Sequence, residues 1–244
     1  MKLHRKRNRK LHKKNIIHNV VAILPAFNES RSLPLLLINL QQYVSNMLVV
    51  DDGSTDATGL VAKKAGANVL RMPENTGTGN ATKQGLLYAR RVHATAVCLL
   101  DADGQHDPKY ISKMIHCLNA GADMVIGSRY IHDSQHATSW IRRSGTKTIS
   151  LLIQIFFGRR IYDPTSGFRV MNQKTLRYIV DRYPTTFSEP EVVLDLIDQD
   201  FRVVEIPVQM KLRQFGTTSI HIGKAFYLMV YIMFFIVMRW ARRN

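Results

Sequence analysis

Four times between residues 20 and 129 a short apolar run ends abruptly in a polar turn, and this rhythm restricts the folds open to the chain. Val20–Leu24 runs into Pro25–Glu29, and Met47–Val50 into Asp51–Ser54. Ala96–Leu100 runs into Asp101–Gln105, and Asp123–Ile126 into Gly127-Ser128-Arg129. Short apolar runs bounded by turn signals read as buried strands. Helical segments fill the intervals. Ser32 is placed to cap a helix reaching about Val44, with Pro34 in its first turn, where proline is tolerated. Thr55 or Asp56 caps a second helix ending near Gly66. Asn68–Arg71 is a short strand, Gly77-Thr78-Gly79 opens a helix to about Arg91, and Pro108 opens another to about Leu118. Strands alternating with helices of this length imply an α/β fold, with a mostly parallel central sheet flanked by helices. In such sheets ligands bind beyond the carboxyl ends of the strands, where all four polar turns fall.

The turn Asp101-Ala102-Asp103-Gly104-Gln105 carries the most chemistry. Two carboxylates spaced i, i+2 share a face of an extended chain and converge in a turn. Hard oxygen ligands there suit Mg²⁺ or Mn²⁺, which keep waters and share substrate phosphate oxygens. Taken alone, the same residues also read as a solvated acidic turn ahead of a helix cap. Asp51-Asp52-Gly53-Ser54 and Gly77-Thr78-Gly79 likewise read singly as a capped turn and a helix entrance. It is their convergence at one end of one sheet that points to a site.

The net charge of +16 is unevenly placed. Eight Lys/Arg between residues 2 and 14 and three among the last six account for eleven of these charges, leaving a body near +5. Basic ends on a moderate body point to an anionic surface, nucleic acid or membrane. No helix-turn-helix, zinc or RNP signature accompanies the basic arm, so no nucleic acid is expected. The two cysteines, Cys98 and Cys117, have neither metal-ligand spacing nor a disulfide framework, which fits a reducing compartment. The basic start is not followed by the apolar core of a secretory signal.

Six ordered segments resemble the family 2 glycosyltransferases of GT-A fold, and within them the dolichyl- and polyprenyl-phosphate sugar synthases. They are Leu24–Glu29, Val49–Asp56, Asn75–Gly79, Asp101–His106, Gly127–Tyr130 and Thr165–Arg169, and the likeness runs from about Val20 to Ile220. It implies a GT-A nucleotide-sugar-binding domain over residues 19–220, after a disordered basic arm (1–18) and before an apolar C-terminal helix with a basic end (221–244). It also implies roles by position. Pro25, Phe27 and Glu29 match the wall for base and ribose, and Val50 and Asp52 the base-recognition pair. Asp101, Ala102 and Asp103 match the ribose and diphosphate-metal site. The metal ligands would be Asp101, Asp103 and Gln105, with Mg²⁺ or Mn²⁺ as cofactor. Arg129 matches a phosphate or acceptor contact, and Arg213 the late basic loop over the diphosphate. The related synthases often carry Lys where this chain has Ser219, which removes one phosphate contact.

The implied reaction is inverting transfer of a sugar from a nucleotide-diphosphate sugar to a polyprenyl phosphate, at the cytoplasmic face of a membrane, for cell-wall or surface glycan synthesis. A phosphate nucleophile is already anionic and needs no strong base. The alternative is extension of a polysaccharide or glycolipid on a sugar hydroxyl, which needs a carboxylate to take the proton. Asp163, Glu189 and Glu191 are the candidates, with Glu191 preferred. Glu189 and Glu191 also read as negative charge favouring a helix N-terminus. Asp103, Arg129, Glu191 and Arg213 form the catalytic set. Arg169 either pairs with Asp163 or meets phosphate. A non-enzymatic scaffold of the same fold is disfavoured by the intact Asp101, Asp103 and Arg213.

Ile149–Phe157 reads either as a core helix or as part of a lipid-acceptor groove. Ala225–Met238 has no charged residue and is followed by Arg239, Trp240, Arg242 and Arg243. That run is short for a bilayer span, which takes about 20 apolar residues. It suits a peripheral or monotopic, membrane-associating helix on an anionic membrane surface. The other reading is a helix buried on the domain or against a partner, either a small membrane protein or a second copy in a homo-oligomer.

Overall fold

A computed structural model describes residues 19–131, 140–185, 188–212 and 222–241. The expected basic arm, Arg213, Ser219, Arg242 and Arg243 lie outside these residues. Among the described residues seven strands form one sheet: β1 (Val20–Ala26), β2 (Asn46–Asp51), β3 (Asn68–Arg71), β4 (Ala96–Leu99), β5 (Met124–Ser128), β6 (Arg169–Asn172) and β7 (Val203–Pro207). Their order is β3-β2-β1-β4-β6-β5-β7. The pairs of β1 with β2 and β4, of β2 with β3 and of β5 with β7 are parallel. Only β6 runs against its neighbours, pairing antiparallel with β4 and β5.

The helices are α1 (Leu33–Leu40), α2 (Thr58–Lys64), α3 (Thr78–Arg91), α4 (Ile111–Asn119), α5 (Trp140–Phe157), α6 (Gln173–Ile179), α7 (Ser188–Asp198) and α8 (Ile222–Ala241). Strand alternation divides them between the two faces. Val21 and Ile23 join a core with α3, α5, α6, α7 and α8, whereas Ala22 and Leu24 join one with α1, α2 and α4. Strands covered on both faces are apolar throughout, which is why β1, β2 and β4 read as continuous runs rather than alternating ones.

Several boundaries differ from the sequence expectation. α1 stops at Leu40, not near Val44. Ser32 holds its N-cap position, but its hydroxyl donates to Glu29 instead of capping. α2 begins at Thr58, after Asp56 has accepted the Thr58 N–H at 2.9 Å. The helix expected from Pro108 opens as a 3-10 turn (Pro108–Tyr110) before α4.

β1 lies between β2 and β4, so the chain steps outward from β1 through β2 to β3 and returns to β4 on the other side. Strand order reverses there, opening a crevice between the carboxyl ends of β1 and β4.

α8 is part of the same core. Ile232 and Ile236 are fully buried in it, one helical turn apart. Its end is pinned to α7 by Arg239, which pairs with Asp195 and, at 2.9 Å, with Asp198. No helix among the described residues is long and apolar enough to cross a membrane. A helix built into the core predicts a stability effect. Ile236→Ala should lower the unfolding free energy by roughly 2–5 kcal/mol, the range for truncating a buried isoleucine. Urea denaturation in detergent-free buffer measures it, and a tail that touched only lipid would give no change.

Candidate active site

Two loops beyond the ends of β1 and β2 are stitched together by side chain to backbone bonds. Asn28, at a positive φ of 56°, accepts the Thr55 N–H at 2.9 Å, and its own N–H donates to Ser54 at 3.0 Å. The Glu29 N–H donates to Thr58 at 2.9 Å. Asp52 holds the next loop: it accepts from the Thr76 N–H (2.9 Å), the Thr76 hydroxyl (2.9 Å) and the Gly77 N–H (2.8 Å). Gly53 permits the close approach. At φ +70°, it would bring a Cβ within 2.5 Å of the Glu74 carbonyl carbon.

The crevice at the strand-order reversal is lined by Pro25 of β1, Thr78 and Thr82 of α3, and Asp101 just after β4. Gly167, Arg169, Tyr183 and Glu189 close it from the other side. Arg169 is fully buried and donates to the carbonyls of Ser166 (2.7 Å) and Pro164 (2.9 Å), so it does not pair with Asp163. Burial pulls its pKa below the ordinary arginine value, and the Glu189 carboxylate is the leading charge opposing that pull.

Asp163 is instead committed to Arg129. Arg129 donates to both carboxylate oxygens at 2.7 Å and to Thr165 at 2.9 Å, and Asp163 has no exposed side-chain surface. Burial alone disfavours the Arg129 cation, but the Asp163 contacts outweigh it and hold its pKa above the ordinary value. With both oxygens engaged and no solvent access, Asp163 is not placed to take a proton from an acceptor.

The acidic turn is fixed from within. The Asp103 carboxylate accepts the Gln105 N–H at 3.0 Å. Gln105 exchanges two bonds with Lys211: the Lys211 N–H donates to the Gln105 carbonyl (2.9 Å), and the Gln105 amide donates to the Lys211 carbonyl (3.3 Å). The segment leading to Arg213 thus starts on the acidic turn. Beneath it His106 is fully buried, stacked on Phe168 with ring centroids 5.0 Å apart. Burial lowers its pKa to about 4, so it is neutral at physiological pH.

The sequence-derived site residues therefore separate. Pro25 and Asp101 line the crevice, Phe27 is exposed at the end of β1, and Asp103 and Gln105 sit on the turn. Ala102 is buried, and the Val50 side chain lies wholly in the core. Glu191, preferred as the base, faces α8, where it hydrogen-bonds Tyr231, whereas Glu189 lines the crevice. Thr78, Thr82, Tyr183 and His106 were given no role from sequence. His106 had one signal, a histidine five residues after Asp101 in an otherwise acidic turn.

Among the described residues no three His, Cys, Asp or Glu side chains cluster to hold a metal on their own. The residues present would fit an open site, in which Asp101 and Asp103 would supply a few oxygens and a bound diphosphate the rest. Mg²⁺ and Mn²⁺ accept that arrangement.

A family model described as Glycosyl transferase family 2 matches residues 21–180. A polyprenol monophosphomannose synthase of Mycolicibacterium smegmatis is 30% identical over 212 residues, covering 82% of this chain and 80% of its own. An undecaprenyl-phosphate mannosyltransferase of Micrococcus luteus is 30% identical over 220 residues, covering 84% and 88%. In fold, the chain is similar to glucosyl-3-phosphoglycerate synthase from Mycobacterium tuberculosis, solved with Mn²⁺, UDP-glucose and phosphoglyceric acid. The TM-score is 0.67 at 17% identity, with coverage of 91% of this chain and 80% of the other.

The placement of Glu191 has a measurable consequence. Its carboxyl is buried with one oxygen unpartnered, and burial raises its pKa above the ordinary 4.5. A carboxyl raised in the folded state favours folding below the unfolded pKa, and that contribution is lost as pH rises through the folded value. Glu191→Gln, which cannot ionise, should therefore be more stable than wild type at pH 8, with the difference vanishing below about pH 4. Urea denaturation across that range measures it. A pH-independent difference would mean that Glu191 is not buried against α8.

Proposed function

The chain belongs to glycosyl transferase family 2, and from that premise we propose that it moves a sugar, with inversion, from a nucleotide-diphosphate sugar to a polyprenyl phosphate at the cytoplasmic face of a membrane, for cell-wall or surface glycan synthesis. The observation that carries this reading is the acidic turn 101–103 at the crevice where strand order reverses. Relatives named polyprenol monophosphomannose synthase and undecaprenyl-phosphate mannosyltransferase support the acceptor class.

The residues divide the work. Phe27 and the loops joined by Asn28 and Asp52 form the wall for the nucleotide. Asp101 and Asp103, with Gln105, would hold Mg²⁺ or Mn²⁺. The ion, when bound, neutralises charge building on the departing diphosphate. Arg213 is assigned to the same charge. Arg129 organises the far wall through Asp163, with Thr165 accepting from the same Nη2 that reaches Asp163. The acceptor phosphate attacks the anomeric carbon from the side opposite the diphosphate, and being anionic it gives up no proton. Were the acceptor a sugar hydroxyl, Glu189 would be the carboxylate in the crevice able to take its proton.

A panel of nucleotide sugars with Mn²⁺ or Mg²⁺ and a short polyprenyl phosphate tests this reading. The expected product is an ion-dependent, lipid-linked sugar, and Asp103→Asn should cut turnover by roughly 10²-fold or more. Transfer to a hydroxyl acceptor with none to the lipid phosphate would replace this reading with glycan extension.

An apolar surface supports the membrane placement. α8 exposes Tyr227, Val230, Phe234 and Val237, and the adjoining α5 exposes Leu151 and Ile155. Arg159 and Arg160 follow the end of α5, beside the Phe156–Trp240 contact that joins the two helix ends. Apolar residues exposed on two packed helices, with cations following in sequence, suit the headgroup boundary of an anionic leaflet. Wild-type protein should pellet with vesicles containing phosphatidylglycerol. The double variant Val230→Glu with Phe234→Glu should remain in the supernatant at an unchanged melting temperature. Continued pelleting of a folded double variant would move the membrane contact off α8.

A further inference from the structure

Asp101 is held by a residue outside the acidic pair. The Nδ1 atom of His106 accepts the Asp101 backbone N–H at 3.1 Å, which assigns the ring proton to Nε2. That Nε2 has no hydrogen-bond partner, has no solvent access, and stands 3.7 Å from Oδ2 of Asp101. Phe168 stacks on the ring and limits its rotation. Gly167 closes the other side, since a Cβ there would meet the Asp101 carboxylate oxygens at 2.8 and 2.9 Å. A half-exposed carboxylate is thus confined between a buried imidazole and a backbone that has no side chain. Burying an N–H donor with no acceptor is unfavourable, and the acceptor this one faces is the carboxylate, slightly too far away.

We propose that His106 is a positioning residue for Asp101: its Nε2–H closes onto Oδ2 when the carboxylate is drawn to a divalent ion, turning Oδ1 toward that ion. This rests on the reading of Asp101 as a metal ligand. Carboxylate ligands are commonly oriented by such outer hydrogen bonds, whose loss costs about 10–100-fold in metal affinity. The backbone bond through Nδ1 holds the turn, and the Nε2 proton is the part that answers to the ion.

Three substitutions separate the two nitrogens. His106→Phe keeps the stack on Phe168 and removes both. His106→Asn reaches only the Nδ1 position, and His106→Gln carries an N–H to the Nε2 position. Mn²⁺ binding is read from the EPR signal of the free ion in the presence of UDP or GDP, alongside nucleotide affinity without metal and the melting temperature. The expected order of Mn²⁺ affinity is wild type and Gln together, with Asn and Phe weaker by roughly 10–100-fold, and metal-free nucleotide affinity the same in all. An Asn variant that binds Mn²⁺ as tightly as wild type overturns the proposal, leaving His106 a purely architectural residue. So does a parallel loss of metal-free nucleotide affinity. If His106→Phe fails to fold, the Asn and Gln pair still decides. Wild-type protein that binds no Mn²⁺ with either nucleotide overturns the metal reading of Asp101 itself, and the positioning role with it.

Discussion

The buried pair of Arg129 and Asp163 is the interaction on which the site depends. Asp163 is reached from three directions. Arg129 comes from the end of β5 with two side-chain bonds and its own backbone N–H at 3.0 Å. Glu205 of β7 accepts the N–H groups of Tyr162 (2.7 Å) and Asp163 (2.8 Å), which fixes the backbone that carries the carboxylate. Thr165 sits between Arg129 and Thr146 of α5. A buried ion pair adds little net stability over apolar packing, but leaving one partner alone costs several kcal/mol, so its presence specifies one arrangement of the chain. The arrangement specified here is the path of residues 163–169. That path sets Gly167 against Asp101, Phe168 under His106 and Arg169 into the crevice. The far wall of the site is thus built by charges that need not touch substrate.

β1, β2, β4 and β5 were legible because each is buried on both faces and so reads as an apolar run. β6 and β7 were not. β6 begins with Arg169, and a strand opening on a cation gives no apolar signal; the carbonyls of Ser166 and Pro164, with the charge of Glu189, make its burial tolerable. β7 is an edge strand that includes Glu205 and ends at Pro207, residues that argue against a central strand. The antiparallel insertion of β6 could not be read from an alternating strand and helix pattern, because that pattern implies parallel neighbours.

The site shows the same division. The acidic turn stood out because it falls with three other polar strand ends at one edge of one sheet, although alone it reads equally as a solvated turn. Spacing could not distinguish Glu189 from Glu191, since two residues on a helix turn the side chain through about 200° and so reverse which one meets the crevice. Asp52 illustrates a different limit. A carboxylate at a strand end reads as a ligand-binding group, yet it makes three bonds to the Thr76-Gly77 loop. It shapes the loops beyond β2 by holding backbone.

A helix apolar on every side, as α8 nearly is, has no rotational preference of its own, because any face buries equally well. The preference comes from its few polar groups. Tyr231 meets Glu191, and Arg239 meets Asp195 and Asp198, so three acidic positions along one side of α7 grip α8 at two points two turns apart. Those grips turn Ile232 and Ile236 inward and leave Val230, Phe234 and Val237 outward. The outward face is therefore specified by contacts made on the inward one. The same α7 carries Glu189 into the crevice from its first turn. One helix thus joins the apolar surface to the site, and the orientation of that surface relative to the acidic turn follows from α7.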